Sequence, residues 1–400
     1  MKKSKVENYL KISIVIVVSM IVGSLLTIFL KDNLIINGKS KTKTSLVGSQ
    51  YKEFEPLFEA YEYINEKYYK SVSKSKLVDE AIKGMLKATD EHTNYLTSKE
   101  KKAFEEELSG SYYGIGAVIQ LNEDETVSIS RMFENSPAEK AGLKPGDVFV
   151  KIDGKSVKGK NTSEVADMLK SNKIKESKII IKRDGKEKEF TVTKENITMF
   201  TVSSEMKNID NKNIGYISLS LFGENTYKEF LEALNKLETQ DMDSLIIDVR
   251  GNSGGYLKTV TEILSVFMDT NTTIYKIKSK KEITEYKSIS PGKKNYDVVM
   301  LIDENSASAS EIMASSMKEK YGAKLVGKTT YGKGTVQTTV DLSNNGLLKY
   351  TIEEWLTPDG NSINKKGVEP DYDVDLDENY KNNPTTENDN QLNKAIELLK

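Results

Sequence analysis

Residues 297–314 read D-V-V-M-L-I-D-E-N-S-A-S-A-S-E-I-M-A, and this stretch decides the fold. The apolar run 297–302 is typical of a strand, and the small residues after it open a helix that ends near Gly322. Two earlier strand-like runs, 214–219 and 244–249, also lead into helical patterns. This alternation predicts an α/β core with helices packed on a sheet.

The turn between the strand and the helix carries Ser306, Ser308 and Ser310, which alternate with alanines. Small neighbours let a substrate carbonyl approach, and free N–H groups at a helix N-terminus can face a developing oxyanion. We predict Ser308 as the nucleophile, because it lies in the first helical turn beside the N–H of Ala309. A serine-rich helix cap is the alternative interpretation of the same cluster.

A lysine between two glycines follows in Y-G-K-G-T-V-Q, residues 331–337. Lys333 can act as a base only when it is neutral, and an apolar environment that lowers its pKa would make it so. Gln337, four residues later, could hydrogen-bond the amine and direct it toward the serine. Taken alone, Lys333 could equally be a surface lysine in a glycine loop.

The composition excludes several rival chemistries. The 400 residues include one histidine and no cysteine, which rules out a cysteine nucleophile and a zinc site of the H-E-x-x-H kind. The single histidine, His92, lies far upstream and is predicted to be structural. If the chain cleaves acyl bonds, its base is therefore a lysine or a carboxylate. We predict no cofactor and no metal.

The glycine-rich run D-V-R-G-N-S-G-G, residues 248–255, follows a strand. It lacks the lysine and the spacing of nucleotide-binding loops, so a turn that presents an N–H to an oxyanion is favoured over a phosphate site. A purely structural turn remains an alternative. Arg250 is predicted to form a buried ion pair, with Asp248 as its candidate partner.

The N-terminus predicts the compartment. Residues 12–30 are uncharged and mostly apolar, which is close to the length of a membrane-spanning helix, and four lysines precede them. The positive-inside rule then puts the short N-terminus in the cytoplasm and the rest outside the cell membrane. A cleaved signal peptide is the alternative. The net charge of −2 does not predict a nucleic-acid partner.

The region between the N-terminus and the α/β core changes pattern twice. Residues 51–108 have apolar side chains at helical spacing, whereas short strand-like runs begin at 113–119 and Asp184-Gly185 predicts a hairpin. The predicted organisation is a cytoplasmic N-terminus and transmembrane anchor (1–31), a linker (32–50), a helical N-terminal region (51–109), a strand-rich domain (110–197), the α/β core (198–374), and a C-terminal tail and helix (375–400).

With these motifs in place, the chain resembles the carboxyl-terminal processing peptidases, or tail-specific proteases. The resemblance covers nearly everything after residue 50, and the shared order of the motifs makes it specific. Besides the runs at 248–255 and 331–337, the matching motifs are D-E-H-T-N-Y-L (90–96), Y-G-I-G-A (113–117), N-S-P-A-E-K-A-G-L-K-P-G-D (135–147), S-A-S-A-S-E-I (306–312) and T-P-D-G-N-S-I-N-K-K-G-V-E-P-D (357–371).

The resemblance implies a crotonase/ClpP-like protease core with an inserted PDZ domain. It assigns the nucleophile to Ser308, the general base to Lys333 and the orienting glutamine to Gln337. It also assigns the oxyanion hole to the N–H of Ala309 and one from the glycine pair, with Gly255 preferred over Gly254.

The resemblance also implies how substrates are selected. In the family, backbone N–H groups of a PDZ loop hold the carboxylate of a protein C-terminus, which adds as a strand. The loop corresponds here to Tyr113, Gly114, Ile115, Gly116 and Ala117. In several relatives, helical N- and C-terminal segments dimerise, so the resemblance gives that role to residues 51–109 and the final helix. We therefore expect a homodimeric, membrane-anchored extracytoplasmic serine endopeptidase that recognises substrate C-termini. A catalytically silent PDZ scaffold that binds C-termini at the cell envelope is the competing hypothesis.

Overall fold

The computed structural model describes residues 49–170, 175–290, 294–383 and 385–400. The apolar run 12–30, predicted to be the membrane anchor, lies outside these ranges. Within them, every helix is too short or too polar to cross a bilayer. The chain divides into two units, Met1–Glu80 and Ala81–Lys400.

The described part of the first unit is helical, as its apolar spacing predicts. A 3-10 turn spans Ser49–Phe54, helix α1 spans Glu55–Lys67, and helix α2 spans Lys74–Leu86, crossing into the second unit. Pro56 is in the first turn of α1, where its missing N–H breaks no intrahelical hydrogen bond. No residue of α1 is buried, and Leu57 and Phe58 remain exposed.

After the end of α2, the second unit continues with a short strand and a capped helix. Strand β1 spans Asn94–Leu96 and helix α3 spans Ser98–Ser109. Thr97 caps α3 and exchanges hydrogen bonds with Glu100, while Gly110 ends the helix at a φ of 63°. This capping fixes where α3 begins and where the next strand leaves it.

The predicted PDZ region is a small sheet with two helices. A five-stranded path β3-β4-β5-β7-β8 is extended by β6 beside β5, and β2 pairs separately with β9. Its core is apolar and buried, with Ile129, Ile179 and Ile181 fully enclosed. The elements are β2 (Ser111–Gly114), β3 (Ala117–Leu121), β4 (Val127–Met132), α4 (Pro137–Lys140), β5 (Val148–Ile152), β6 (Lys155–Ser156), α5 (Thr162–Lys170), β7 (Glu176–Arg183), β8 (Lys186–Thr193) and β9 (Glu195–Thr198).

Two sequence expectations for this region meet different outcomes. The hairpin at Asp184-Gly185 is confirmed, since both residues have positive φ and join β7 to β8. The single strand expected over 113–119 is wrong. The chain turns at Gly116, where φ is 72°, so β2 pairs with β9 while β3 pairs with β4.

The α/β core has one six-stranded sheet in the order β10-β11-β12-β15-β16-β19, parallel except for β10 against β11. A second sheet is built around β18, which pairs with β1, β13 and β17, while β14 pairs with β13. The elements are β10 (Val202–Ile209), β11 (Lys212–Leu219), α6 (Thr226–Glu238), β12 (Ser244–Asp248), α7 (Leu257–Phe267), β13 (Thr273–Lys278), β14 (Ile283–Lys287), β15 (Asp297–Ile302), α8 (Ala309–Ser316), a π turn (Met317–Tyr321), β16 (Lys324–Gly327), β17 (Thr335–Asp341), β18 (Leu347–Leu356), β19 (Tyr372–Asp373), α9 (Glu378–Asn382), a 3-10 turn (Thr386–Asn388) and α10 (Asn390–Leu399).

Both faces of the six-stranded sheet are covered. Leu245 and Ile247 of β12 point into the core shared with α6, α7 and α8, whereas Ile246 points into a second core beneath α10. All five residues of β12 are buried, as expected for a parallel strand between two layers. Because α10 packs its apolar face on this sheet, the C-terminal helix is part of the core.

Candidate active site

The predicted nucleophile lies at the turn between β15 and α8. Ser308 has a φ of 55° and a ψ of −111°, a backbone conformation that is costly for a residue with a side chain. Its N–H donates to the Oε2 atom of Glu311 at 2.8 Å, which holds the turn in place. The turn directs the Ser308 side chain into a cavity of about 800 Å³.

The three serines of the turn have different environments. The hydroxyl of Ser306 donates to the carbonyl of Val249 at 2.8 Å, and that of Ser310 donates to the carbonyl of Asn252 at 2.8 Å. Both side chains are buried. The Ser308 hydroxyl donates to no residue in the described ranges and lines the cavity, so it alone of the three has a proton that is free for transfer.

Lys333 lines the same cavity from the loop before β17. Burial lowers the pKa of its ammonium, the charge of Lys349 lowers it further, and Glu311 opposes both effects. Within the described part of the chain, nothing accepts a hydrogen bond from Nζ. The backbone carbonyl of Lys333 accepts a hydrogen bond from Nε1 of Trp355 at 2.8 Å, which anchors the loop. These conditions favour a neutral amine.

The two glycines beside Lys333 are required because there is no space for a Cβ atom at either position. A Cβ on Gly332 would lie 2.9 Å from the N atom of Lys366, and one on Gly334 would lie 2.6 Å from the Cβ atom of Asn364. Gly332 also has a φ of 88°. The loop backbone therefore packs closely against the segment 364–366 on both sides of Lys333, which fixes the position of the lysine.

Glu311 joins the serine turn to the lysine loop, a role that sequence reasoning missed. Its side chain is fully buried and accepts hydrogen bonds from Thr330 Oγ1 (2.6 Å) and from the N–H groups of Gly332 (2.6 Å), Lys333 (2.9 Å) and Ser308 (2.8 Å). Burial raises the pKa of the carboxyl, and these bonds act in the opposite direction. The available signal was that Glu311 is the only charged residue of α8.

Two backbone N–H groups near Ser308 are free to bind an oxyanion. Neither Ala309 nor Gly255 donates its N–H to any residue in the described ranges, whereas the N–H of Gly254 donates to Asn252 Oδ1 at 2.9 Å. Both glycines are sterically required, because a Cβ would lie 2.9 Å from Ser308 Cβ at Gly254 and 2.3 Å from the Phe222 carbonyl oxygen at Gly255. This geometry favours Gly255 over Gly254 as the second donor.

Gln337 lines the cavity, but its amide is directed elsewhere. Nε2 donates to Thr335 Oγ1 at 2.8 Å and to Thr351 Oγ1 at 3.2 Å. His92 lies in a turn whose backbone N–H groups are held by Asp90. Burial is the main cause of its lowered pKa, and its ring lies 6.4 Å from that of Tyr331 in the lysine loop without a hydrogen bond to Ser308 or Lys333.

Arg250 forms the buried ion pair that the sequence predicts. Its guanidinium contacts Asp248 at 2.6 Å and Asp389 at 2.8 Å, and it donates to Gln391 Oε1 at 2.9 Å. Burial alone would lower the pKa of Arg250, but the two carboxylates raise it. The cluster ties the end of β12 to the start of α10 and leaves the guanidinium no role at the serine.

The predicted peptide-binding loop connects β2 to β3 in the PDZ region. Strand β3 is an edge strand and α5 contacts it, so an edge is available for an added strand. Burial raises the pKa of the Tyr112 phenol and the nearby N–H of Gly116 acts in the opposite direction, while the ring of Tyr112 lies below Lys170 Nζ at 4.7 Å. The phenol oxygen therefore lies beside one N–H of the predicted carboxylate loop.

No group of three or more histidine, cysteine, aspartate or glutamate side chains in the described ranges is arranged to hold a metal ion. The groups that surround Ser308 are instead an amine, a buried carboxylate and free backbone N–H groups. These groups suit acyl transfer through a serine.

Comparisons with known proteins agree with this assignment. Residues 213–374 match the model of peptidase family S41, residues 128–183 match a PDZ domain, and residues 24–100 match the N-terminal domain of the activating protease CtpB. The S41 match contains the serine turn and the lysine loop.

The chain is similar to two proteases of Bacillus subtilis (strain 168). It is 35% identical to the carboxy-terminal processing protease CtpA over 407 residues, covering 98% of this chain and 85% of that protein. It is 38% identical to the carboxy-terminal processing protease CtpB over 323 residues, covering 80% and 67%. An S41 protease structure from Bacteroides fragilis NCTC 9343 shares the fold, with a TM-score of 0.54 at 16% identity, covering 79% and 89%.

The fold and these relatives define the class of the molecule, a serine peptidase that carries a PDZ domain. Within that class, the chain belongs to the carboxy-terminal processing protease family.

Proposed function

We propose that this chain is an extracytoplasmic serine endopeptidase in which Ser308 is the nucleophile and Lys333 the general base. One observation carries the proposal. The only serine of the turn with a free hydroxyl and a lysine whose pKa is lowered by burial line the same cavity.

In the first step, Ser308 Oγ attacks the scissile carbonyl carbon while its proton passes to the neutral amine of Lys333. The carbonyl oxygen becomes an oxyanion, which accepts hydrogen bonds from the N–H groups of Ala309 and Gly255. The Lys333 ammonium then returns the proton to the leaving amine as the peptide C–N bond breaks. Water attacks the remaining ester, its proton passes through Lys333, and Ser308 is regenerated.

Gln337 is assigned the orienting role in the same proposal. Its amide has two threonine partners, Thr335 and Thr351. In the assembled dyad, rotation of the side chain would release these bonds and bring the amide to Lys333. Gln337→Ala should therefore lower activity less than Lys333→Ala, because it removes orientation but not the base.

The PDZ region is assigned the selection of substrates. A protein C-terminus would add as a strand to the edge of β3, with its carboxylate held by the loop from Tyr113 to Ala117. Support comes from the exposed edge of β3 and from the PDZ match. The core fold is assigned to the crotonase/ClpP-like type, on the alternation of strands and helices around the parallel sheet.

The location and assembly belong to the same proposal. The apolar run 12–30 would anchor the chain in the cell membrane, with the PDZ and protease regions outside and the chain as a homodimer. Protease added to intact protoplasts should digest the region after residue 50. Protection of that region would contradict the orientation, and a monomeric mass in light scattering would contradict the dimer.

The dyad is tested by Ser308→Ala and Lys333→Ala on purified protein with an unstructured peptide substrate. We expect each substitution to abolish cleavage. Ser253→Ala is the matched control, because Ser253 lines the same cavity and is exposed. Full activity in Lys333→Ala would overturn the dyad, and peptide binding without any turnover by the wild type would support a silent scaffold.

A further inference from the structure

The cavity that contains Ser308 and Lys333 also contains a second, half-buried lysine. Lys349 is on β18, opposite Thr339 of β17, and lines the cavity. Its Nζ lies 5.5 Å from the centre of the Phe104 ring. No carboxylate of the described ranges lies within ion-pair distance of it, although Glu107 is near enough to act through its charge. Among the described residues, neither cavity lysine therefore has a direct counterion.

When two lysine amines share one partly buried cavity, the positive charge of one makes it more costly to protonate the other. For Lys333, burial is the larger cause of its lowered pKa and the positive charge of Lys349 is the second, with Glu311 acting against both. For Lys349, burial lowers the pKa and Glu107 opposes it. The remaining question is which of the two gives up its proton.

The charges that surround the two lysines determine which of them is more easily deprotonated. Glu107 of α3 stabilises the charged form of Lys349, whereas Glu311, the carboxylate that acts on Lys333, is already shared among four donors of the serine turn and lysine loop. His92 has a lowered pKa and adds no positive charge at neutral pH. Glu105, also at the cavity, lies 3.7 Å from Lys101. A proton is therefore better stabilised on Lys349 than on Lys333.

We propose that Lys349 is a positioning residue that acts through Lys333: its positive charge, stabilised by Glu107, keeps the Lys333 amine in the neutral form that a general base needs. The proposal rests on the Ser308–Lys333 dyad. It also bears on the second half of the reaction. When Lys333 has taken the proton of Ser308, repulsion from Lys349 favours passing that proton on to the leaving amine.

The test is the pH dependence of kcat/KM for peptide cleavage by the full chain carrying Lys349→Met or Lys349→Arg. Methionine keeps much of the aliphatic stem over Phe104 and removes the charge. We expect Lys349→Met to move the acidic limb of the profile to higher pH while retaining activity on the alkaline side. Each unit of displacement lowers the rate on the acidic side about tenfold. Lys349→Arg, which is always charged, should restore the wild-type limb.

Lys281→Met is the matched control, since it removes one exposed lysine from the turn between β13 and β14 and should leave the profile unchanged. A Lys349→Met profile lowered equally at every pH would overturn the proposal. The proposal would also be overturned if the acidic limb did not move and KM rose for a free-acid peptide but not for the amidated peptide. That result would assign Lys349 to substrate binding. Cleavage that survives Lys333→Met would instead refute the dyad itself.

Discussion

Replacing the buried carboxylate of Glu311 with its neutral amide should weaken both the fold and the catalysis. The carboxylate accepts four hydrogen bonds, two on each oxygen. In Glu311→Gln, one oxygen becomes an NH₂ group, so two of these bonds are lost and donors face donors. Hydrogen bonds to a charged group contribute about 1.5–3 kcal/mol each, which makes the gross loss roughly 3–6 kcal/mol.

Part of this loss is recovered, because glutamine does not incur the burial cost that raises the pKa of Glu311. We therefore expect a net decrease of about 2–4 kcal/mol in the free energy of unfolding of the core. The catalytic effect should also be large, since Ser308 and Lys333 lose the shared acceptor that sets their spacing. A displacement of about 1 Å costs about 100-fold in rate.

The chain supplies its own probe for this experiment. Trp355 is the only tryptophan, is buried, and donates to the backbone of Lys333, so its fluorescence during urea unfolding reports on the core around the site. Glu304→Gln is the control, because Glu304 is exposed in the turn preceding the serines. If Glu311→Gln unfolded within about 0.5 kcal/mol of the wild type and kept its kcat/KM, the inferred role of Glu311 would be refuted.

Two further predictions concern the lysine and the PDZ loop. The pKa of Lys333 is lowered from its ordinary value of 10.5. Between the lowered pKa and pH 10.5, the native state therefore binds fewer protons than the unfolded chain. The contribution of Lys333 to the free energy of unfolding thus rises with pH. Lys333→Met should therefore be inactive yet more stable than the wild type at pH 7 in urea unfolding, with the gain shrinking toward pH 10.5; a destabilised variant would contradict this sign. Tyr112→Phe removes the phenol oxygen that lies beside the N–H of Gly116. It should therefore tighten binding of a free-acid C-terminal peptide to the Ser308→Ala protein by about 2- to 10-fold in fluorescence anisotropy, with no change for the amidated peptide. Equal tightening of both peptides would rule out a carboxylate effect.

Much of the fold could be predicted from local patterns. The strand at 297–302 begins and ends where expected, and Asp184-Gly185 joins β7 to β8 as a hairpin. The strand-like pattern at 113–119 gives a wrong prediction. It continues through Gly116, where the chain turns and the strand that pairs with it changes from β9 to β4. Pairing partners are distant in sequence, so a local pattern carries no information about them.

The residues of the candidate active site could be predicted only in part from local sequence patterns. The absence of cysteine and the single histidine exclude rival nucleophiles and bases, and small residues around Ser308 indicate an accessible hydroxyl. Glu311 and Lys349 were missed because their importance depends on which groups surround them. A glutamate in a first helical turn is ordinarily a dipole partner, and a lysine in a strand is ordinarily solvated.

By itself, the sequence determined the class of core, the hairpins and the short set of residues that could carry acyl transfer, because those properties follow from periodicity, turn chemistry and residue type. Tertiary structure decided which serine keeps a free hydroxyl, which glycine keeps a free N–H, and which groups lower the pKa of Lys333. Hydrogen-bond occupancy and desolvation arise only when segments far apart in the chain pack together, as the serine turn does with the glycine loop and with the lysine loop.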